Sequence, residues 1–294
     1  MFTGSFVATI TPFTETGLDL EALTRHVNFL VENGSKGIVP CGTTGEAPTL
    51  SSQEWEAVVD ATVKATRHRA MVIAGTGSNN TAHSLELTTR AQELGADAAL
   101  VVAPYYNKPT QAGLYNHFRA VAEATALPIV IYNIPGRTGV NLLPETLERL
   151  ARDCPNVKAI KEASGNLDQV SEIIRRCGDR LSVLSGDDSL TLPIMALGGT
   201  GVISVTANIV PKEVAELCNL MLAGQLTQAR RMHYLLLPLN RALFFQTNPI
   251  PVKTALEILG RASGRLRLPL CPPSAQDRTL IESALRDFGL LGKT

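Results

Sequence analysis

The chain of 294 residues lacks an excess of either charge, because its 27 Lys and Arg residues balance its 27 Asp and Glu residues. Proteins that bind nucleic-acid phosphates need a basic surface that displaces counterions, so no nucleic-acid partner is expected. The chain also lacks any uninterrupted apolar run of about 18 residues, the length that a membrane-spanning helix needs. No basic segment followed by an apolar one stands at its start. We therefore expect neither a membrane partner nor an export signal.

Cysteine is scarce, odd in number and widely spaced, with no CxxC pair. The five cysteines are Cys41, Cys154, Cys177, Cys218 and Cys271. This spacing favours reduced thiols and a cytoplasmic location over a disulfide framework. The five histidines are equally scattered, and the pair Asp187 and Asp188 has no further oxygen or nitrogen ligands near it in the sequence. No metal is therefore expected.

Short runs rich in β-branched residues recur about every 25 to 35 residues, and segments with helical periodicity separate most of them. The predicted strands are 6–10, 37–40, 71–74, 98–102, 129–132, 157–161, 182–184 and 201–205. Eight βα units predict an α/β protein with the (β/α)8 TIM barrel fold. The alternative is a doubly wound sheet, but the glycine-rich segment 75–80 lacks the third glycine of GxGxxG and follows the third strand rather than the first.

Strand patterns end at residue 205, and the chain from residue 211 onward is predicted to be helical apart from the proline-rich segment 268–273. We expect a barrel with the active site over residues 1–224 and a C-terminal helical region over residues 225–294. In such barrels the active site lies at the carboxyl ends of the strands, so the polar residues that follow each strand are the candidates for function.

Lys161 ends the sixth predicted strand, where a lysine is hard to explain by structure alone. By the two-residue period of a strand, Val157, Ala159 and Lys161 share one face, and Lys158 takes the other. Inside a barrel mouth, desolvation would lower the Lys161 pKa toward the range in which a free amine attacks a carbonyl. The alternative is that Lys161 extends to solvent or pairs with Glu162.

Schiff-base chemistry at a lysine also needs groups that move protons. Tyr132 and Tyr106 lie at strand ends on the same rim, and Thr43 has a hydroxyl that could bridge them. For each tyrosine the alternative is packing as a barrel aromatic.

Two features on this rim could bind the anionic groups of a substrate. Thr43 and Thr44 lie between glycines, in a turn suited to hold a carboxylate or, as the alternative, a phosphate. Arg137 follows in a Pro-Gly turn, where its guanidinium could hold a second carboxylate; a surface ion pair is the alternative.

Six sequence motifs extend this picture, namely GTTGE, PYYNKPTQ, YNIPGRTG, IKEASGN, LSGDD and GVISVTAN. They occur in the same order in the dihydrodipicolinate synthase family, which the chain resembles throughout its length. The resemblance implies condensation of pyruvate with L-aspartate 4-semialdehyde to 4-hydroxy-tetrahydrodipicolinate, the first committed step toward diaminopimelate and lysine. It also implies that no cofactor is used. A sibling pyruvate-dependent aldolase, of the N-acetylneuraminate lyase or 2-keto-3-deoxygluconate aldolase type, is the alternative.

The resemblance further implies the catalytic roles. Lys161 would form an imine with pyruvate, and Tyr132, Thr43 and Tyr106 would form the proton relay. Tyr106 would come from a neighbouring subunit of a homotetramer built from two tight dimers, although a dimer would also complete such a relay.

The substrate-binding roles follow from the same resemblance. Thr44 and the neighbourhood of Ile203 would hold the pyruvate carboxylate, and the Gly186 carbonyl would lie near the reacting amine. Arg137 would bind the carboxylate of the semialdehyde, which sets the family apart from the sialic acid lyases.

Some members of the family bind lysine at the tight-dimer interface and are inhibited by it. The matching positions are Ser52, Trp55, Asn79, His83 and Tyr105. Lysine-sensitive members carry an acidic residue at the position of His83, and they carry histidines on the helix after GTTGE. We therefore expect weak or absent inhibition by lysine.

Overall fold

A computed structural model describes residues 2–292 of the chain and has a closed barrel of eight parallel strands in the order β1 to β8. The strands are β1 Gly4–Ala8, β2 Gly37–Val39, β3 Met71–Gly75, β4 Ala98–Val102, β5 Ile129–Asn133, β6 Val157–Glu162, β7 Ser182–Ser185 and β8 Gly201–Ser204. Strand β1 pairs with β8, which closes the barrel. The predicted TIM barrel is therefore confirmed.

Helices surround the barrel and continue past it. They are α1 Leu20–Glu32, α2 Ser52–Thr66, α3 Thr81–Glu93, α4 Gln111–Glu123, α5 Pro135–Thr138, α6 Pro144–Asp153, α7 Leu167–Cys177, α8 Thr191–Ala196, α9 Pro211–Leu222, α10 Leu226–Phe244, α11 Ile250–Ile258 and α12 Ala275–Asp287. Short 3₁₀ helices cover Ala47–Thr49, Gly178–Arg180, Asp188–Leu190 and Thr206–Asn208. Among the described residues, no helix combines the length and the apolar character needed to cross a membrane.

Local sequence signals explain where several helices begin. Ser51 and Glu54 form a reciprocal capping box at the start of α2. The Asn80 side chain accepts a hydrogen bond from the backbone amide of Ala82 at the start of α3. Pro144 is the first residue of α6, where the missing amide hydrogen of proline costs nothing.

Strand side chains divide between two apolar clusters. A small cluster inside the barrel includes Phe6, Ala8, Val39, Leu100 and Ile203. A larger cluster lies between the strands and the helices, and it also takes in side chains of α10, α11 and α12. The C-terminal helices thus share one apolar core with the barrel.

The structure corrects the predicted face of Val157. The register between β5 and β6 is irregular, because Ile129 lies opposite Val157 whereas Val130 lies opposite Ala159. Lys158 is therefore an extra residue in the ladder, and it is exposed. As a result Val157 packs in the outer cluster, while Ala159 packs inside the barrel. The prediction that Val157 shares the face of Ala159 is wrong.

Strand β1 lies two residues earlier than predicted, at Gly4–Ala8 instead of 6–10. A Cβ built on Gly201 would lie 2.0 Å from the Gly4 carbonyl oxygen, so glycine permits the close approach of β8 to β1. The glycines at this contact carry no strand propensity, and for that reason the sequence pattern places the strand too late.

Candidate active site

The candidate site lies at the carboxyl ends of β5 and β6. Tyr132 and Lys161 are opposite each other in the register of these strands, and both side chains are buried. The Lys161 Nζ atom lies 4.2 Å from the centroid of the Tyr132 ring. Adjacent parallel strands thus bring the Lys161 amine and the Tyr132 ring into contact.

Burial changes the acid–base behaviour of Lys161. The residue is 5% exposed, so the alternative in which its side chain extends to solvent does not hold. Desolvation lowers the Lys161 pKa to about 8, while the charge of Asp188 opposes that shift and the charge of Arg137 adds to it. A free amine is therefore accessible near neutral pH, in the direction that the sequence predicts.

Glu162, the other alternative partner of Lys161, is bound elsewhere. Its buried carboxylate accepts hydrogen bonds from Asn133 Nδ2 at 3.0 Å, from the backbone amide of Ser164 at 2.7 Å and from Gln169 Nε2 at 3.3 Å. This network joins the ends of β5 and β6 on the side facing away from Lys161. Glu162 consequently holds the strand ends together and does not neutralise the amine.

Tyr132 and Thr43 line the same cavity. Burial raises the Tyr132 pKa to about 12, and the neighbouring Thr43 side chain opposes that rise. The phenol therefore keeps its proton at neutral pH and is available as a donor.

Thr44 and Arg137 are linked through a residue of the C-terminal region, Asn248. The Asn248 Nδ2 atom donates to Thr44 Oγ1 at 3.0 Å, and the Asn248 carbonyl oxygen accepts a hydrogen bond from Arg137 at 3.1 Å. Asn248 Oδ1 is buried without a hydrogen-bond partner among the described residues. The sequence does not single out Asn248, because nothing in its local pattern distinguishes it from a turn residue before proline.

Gly186 lies against Lys161, and Ile203 lies inside the barrel. A Cβ built on Gly186 would lie 3.2 Å from Lys161 Cε and 2.7 Å from Ala163 Cβ, so a larger residue would press on the lysine. Ile203 is buried on β8 inside the barrel.

A cavity of about 580 Å³ opens above these strands. Thr43, Tyr132, Arg137 and Asn248 line it. This volume lies within the range of small-molecule sites in proteins.

Four of the five candidate regulatory residues line the same cavity, namely Ser52, Trp55, His83 and Tyr105. Trp55 is buried, and its indole Nε1 donates to the Gly75 carbonyl oxygen at 2.9 Å. His83 lies 3.3 Å from a Glu86 carboxylate oxygen. Asn79, the fifth, accepts a hydrogen bond from Asn107 through its carbonyl oxygen.

Tyr106 is the one predicted catalytic residue that a single chain does not bring to the site. Its side chain is 88% exposed, and its backbone is held at a φ of +73°. Such a left-handed conformation is uncommon outside glycine.

Asp187 and Asp188 accept hydrogen bonds from neighbouring backbone amides and serine hydroxyls. The Asp187 carboxylate caps the 3₁₀ helix through Ser189, and the Asp188 carboxylate accepts hydrogen bonds from Ser204 Oγ and from the amides of Val205 and Thr206. Within residues 2–292 no group of three or more His, Cys, Asp or Glu side chains is arranged to hold a metal ion.

Comparison with known proteins identifies the relatives of this site. The dihydrodipicolinate synthetase family matches residues 1–287. The 4-hydroxy-tetrahydrodipicolinate synthase of Geotalea uraniireducens is 52% identical over 291 residues, which span 99% of this chain and 100% of that protein. The enzyme of the same name from Methanocaldococcus jannaschii is 53% identical with the same coverage. The crystal structure of dihydrodipicolinate synthase from Aquifex aeolicus superimposes with a TM-score of 0.97 at 51% identity, covering 98% of this chain and 99% of that chain.

Proposed function

The chain belongs to the dihydrodipicolinate synthetase family, and we propose on that basis how its site condenses pyruvate with L-aspartate 4-semialdehyde. The product is 4-hydroxy-tetrahydrodipicolinate, the first committed intermediate toward diaminopimelate and lysine. The observation that carries the proposal is the buried Lys161 amine with a lowered pKa, in contact with the Tyr132 ring.

The first half of the reaction activates pyruvate. The Lys161 amine attacks the keto carbon, a C–N bond forms, and the former carbonyl oxygen takes a proton. Loss of that oxygen as water leaves a protonated imine. The imine draws electrons from the methyl group, which releases a proton and becomes an enamine. No cofactor is needed, because the lysine amine itself provides the electron sink.

The second half forms the ring. The enamine carbon attacks the aldehyde carbon of the semialdehyde, whose oxygen takes a proton and becomes a hydroxyl. The amine of the semialdehyde then attacks the imine carbon and displaces Lys161, which returns to its free form as the six-membered ring closes.

Tyr132 and Thr43 move the protons in this scheme, with Tyr106 completing the relay from a neighbouring subunit. Support comes from the position of Tyr132 and Thr43 on the wall of one cavity and from the exposure of Tyr106. The chain then acts as a homotetramer, built from two tight dimers. Further apolar side chains are exposed on α10 and at the ends of α7 and α8, among them Leu167, Leu197 and Tyr234.

Four residues hold the substrates in this proposal. Thr44 and the neighbourhood of Ile203 bind the pyruvate carboxylate, and the Gly186 carbonyl lies beside the reacting amine. Arg137 binds the carboxylate of the semialdehyde, supported by its place at the cavity wall and its hydrogen bond to Asn248. We place the enzyme in the cytoplasm, where its five free thiols stay reduced.

Borohydride reduction in the presence of pyruvate tests the proposal. The reduced adduct is expected on the peptide that contains Lys161, detected by its mass, and only when pyruvate is present. Turnover with aspartate semialdehyde is then compared with turnover with N-acetylmannosamine and with glyceraldehyde. Preference for either sugar-type aldehyde would assign the chain to the sibling aldolases, and absence of an adduct would overturn the lysine mechanism.

A further inference from the structure

A buried ion pair lies directly behind the turn that carries Thr43 and Thr44. Lys253 Nζ, on α11, lies 2.6 Å from Glu46 Oε1, and both side chains are 0% exposed. Lys253 Nζ also donates to the Thr11 carbonyl oxygen at 2.9 Å. The other Glu46 oxygen accepts a hydrogen bond from the Arg267 amide at 3.0 Å. The charges of Lys253 and Glu46 therefore compensate each other. The Lys253 ammonium group makes no contact with the substrate cavity.

The turn itself needs such an anchor. Glu46 holds a φ of +53°, a conformation that non-glycine residues adopt only when their surroundings impose it. The preceding residue, Gly45, is fixed as well, because its carbonyl oxygen accepts a hydrogen bond from Thr11 Oγ1 at 2.7 Å. One contact from Thr11, one from Lys253 on α11 and one from the Arg267 amide thus converge on the end of the turn.

We propose that the Glu46–Lys253 pair positions the hydroxyl groups of Thr43 and Thr44 for proton transfer and carboxylate binding. Neither side chain touches the reacting atoms in this scheme, so both are positioning residues. The proposal rests on the function proposed above. It assigns a role in catalysis to α11, which lies outside the barrel strands, in the same segment that supplies Asn248 to the site.

Small displacements of such a turn have large effects, because a shift of about 1 Å in a reacting group can cost a factor of about 100 in rate. Loss of either single partner would leave one buried charge unmatched and endanger folding. The double variant Glu46→Gln/Lys253→Met removes both charges together and keeps similar volumes. Glu46→Asp keeps the charge and shortens the anchor by one methylene group.

The experiment measures turnover per pyruvate-trapped site, which removes any contribution from unfolded protein. We expect the double variant to form the borohydride adduct on Lys161 but to turn over 10 to 100 times more slowly per trapped site, with a raised KM for pyruvate. Glu46→Asp is expected to lose about tenfold in the same ratio, and it tests the proposal even where the double variant does not fold.

Glu54→Gln is the matched control. Glu54 pairs with Arg267 at 2.5 Å beside the same cluster, but it makes no contact with the turn from Thr43 to Glu46. This variant is expected to keep its turnover per trapped site. Parent-like turnover and KM in folded Glu46→Asp or in the folded double variant would overturn the proposal. Failure of the unaltered chain to form the adduct would instead overturn the proposed function, so the two failures are distinguishable.

Discussion

Two buried lysines each lie against an aromatic ring, yet they differ in their charged neighbours and in their chemistry. Lys161 Nζ lies 4.2 Å from the centroid of the Tyr132 ring, and Lys253 Nζ lies 4.2 Å from the centroid of the Phe13 ring. Both amines are removed from water. The Lys253 Nζ atom lies 2.6 Å from the Glu46 carboxylate. The Asp188 charge raises the Lys161 pKa without forming an ion pair with it.

The difference shows what makes a buried lysine reactive. Burial lowers the pKa of Lys253, but the Glu46 carboxylate in contact opposes that shift and engages the ammonium hydrogens. At Lys161 no carboxylate in contact offsets the cost of burial, so its pKa falls to about 8 and a larger fraction of free amine is present near neutral pH. The ring beside Lys253 belongs to Phe13 and carries no hydroxyl, unlike the ring of Tyr132 beside Lys161.

The largest expected effect is the loss of adduct on substitution of Lys161. Lys161→Ala should abolish borohydride trapping of pyruvate, since it removes the attacking nitrogen. Lys158→Ala is the control, because the exposed Lys158 side chain lies outside the barrel, and its trapping should be largely intact. An adduct mapped to Lys158 or Lys253 by peptide mass would contradict the comparison.

The next effect concerns the hydroxyl that distinguishes the two rings. Tyr132→Phe makes the ring beside Lys161 like the one beside Lys253, and it should slow turnover by about 10² to 10⁴ while the chain stays folded. Tyr106→Phe should act in the same range. Tyr115→Phe is the control, because Tyr115 lies on α4, away from the site, and its hydroxyl donates to Asp153 at 2.8 Å. Near-normal turnover in either relay variant would remove that residue from the relay.

The pH dependence of adduct formation follows from the lowered Lys161 pKa. Only the unprotonated amine attacks pyruvate, so the initial rate should fall about tenfold per pH unit below the midpoint. With the pKa lowered to about 8, the rate should rise with pH and level off above that value. Trapping stopped at fixed times between pH 6 and pH 10 measures this rise of the initial rate with pH. A midpoint near 10.5, the ordinary value for lysine, would show that burial does not act on the amine.

A smaller and more selective effect is expected at Arg137. Arg137→Ala removes a charge-assisted contact worth roughly 1.5 to 3 kcal/mol, which corresponds to about 10- to 150-fold in affinity. The KM for aspartate semialdehyde should therefore rise much more than the KM for pyruvate. Steady-state kinetics with each substrate varied in turn separates the two, and equal changes would mean that Arg137 only shapes the cavity.

The strand pattern predicted the barrel because its signals are local. β-branched runs and capping residues lie within a few positions of one another, and Lys161 and Tyr132 could be placed on the rim by strand period alone. Val157 shows where this fails, since an extra residue at Lys158 resets the alternation and leaves no mark in the sequence.

Contacts between distant segments could not be predicted in the same way. Glu46 and Lys253 are 207 residues apart, and Thr44 and Asn248 are 204 apart. Each residue taken alone has the character of an ordinary loop or helix position. Their roles arise from the packing of the C-terminal helices on the barrel, which no local period encodes.

The smallest expected effect is that of free lysine as an inhibitor, and the comparison of the two lysines explains why. An effector ammonium needs a carboxylate in contact, as Lys253 has in Glu46. Position 83 carries a histidine instead, which itself pairs with Glu86, and Trp55 is already buried against the Gly75 carbonyl. Half-inhibition is therefore expected only above about a millimolar, an affinity of roughly −4 kcal/mol.

Lysine titration at subsaturating pyruvate measures this, with His83→Glu as the variant that should strengthen inhibition by restoring the carboxylate. Half-inhibition of the unaltered chain below a millimolar would show that this interpretation of the interface residues is wrong.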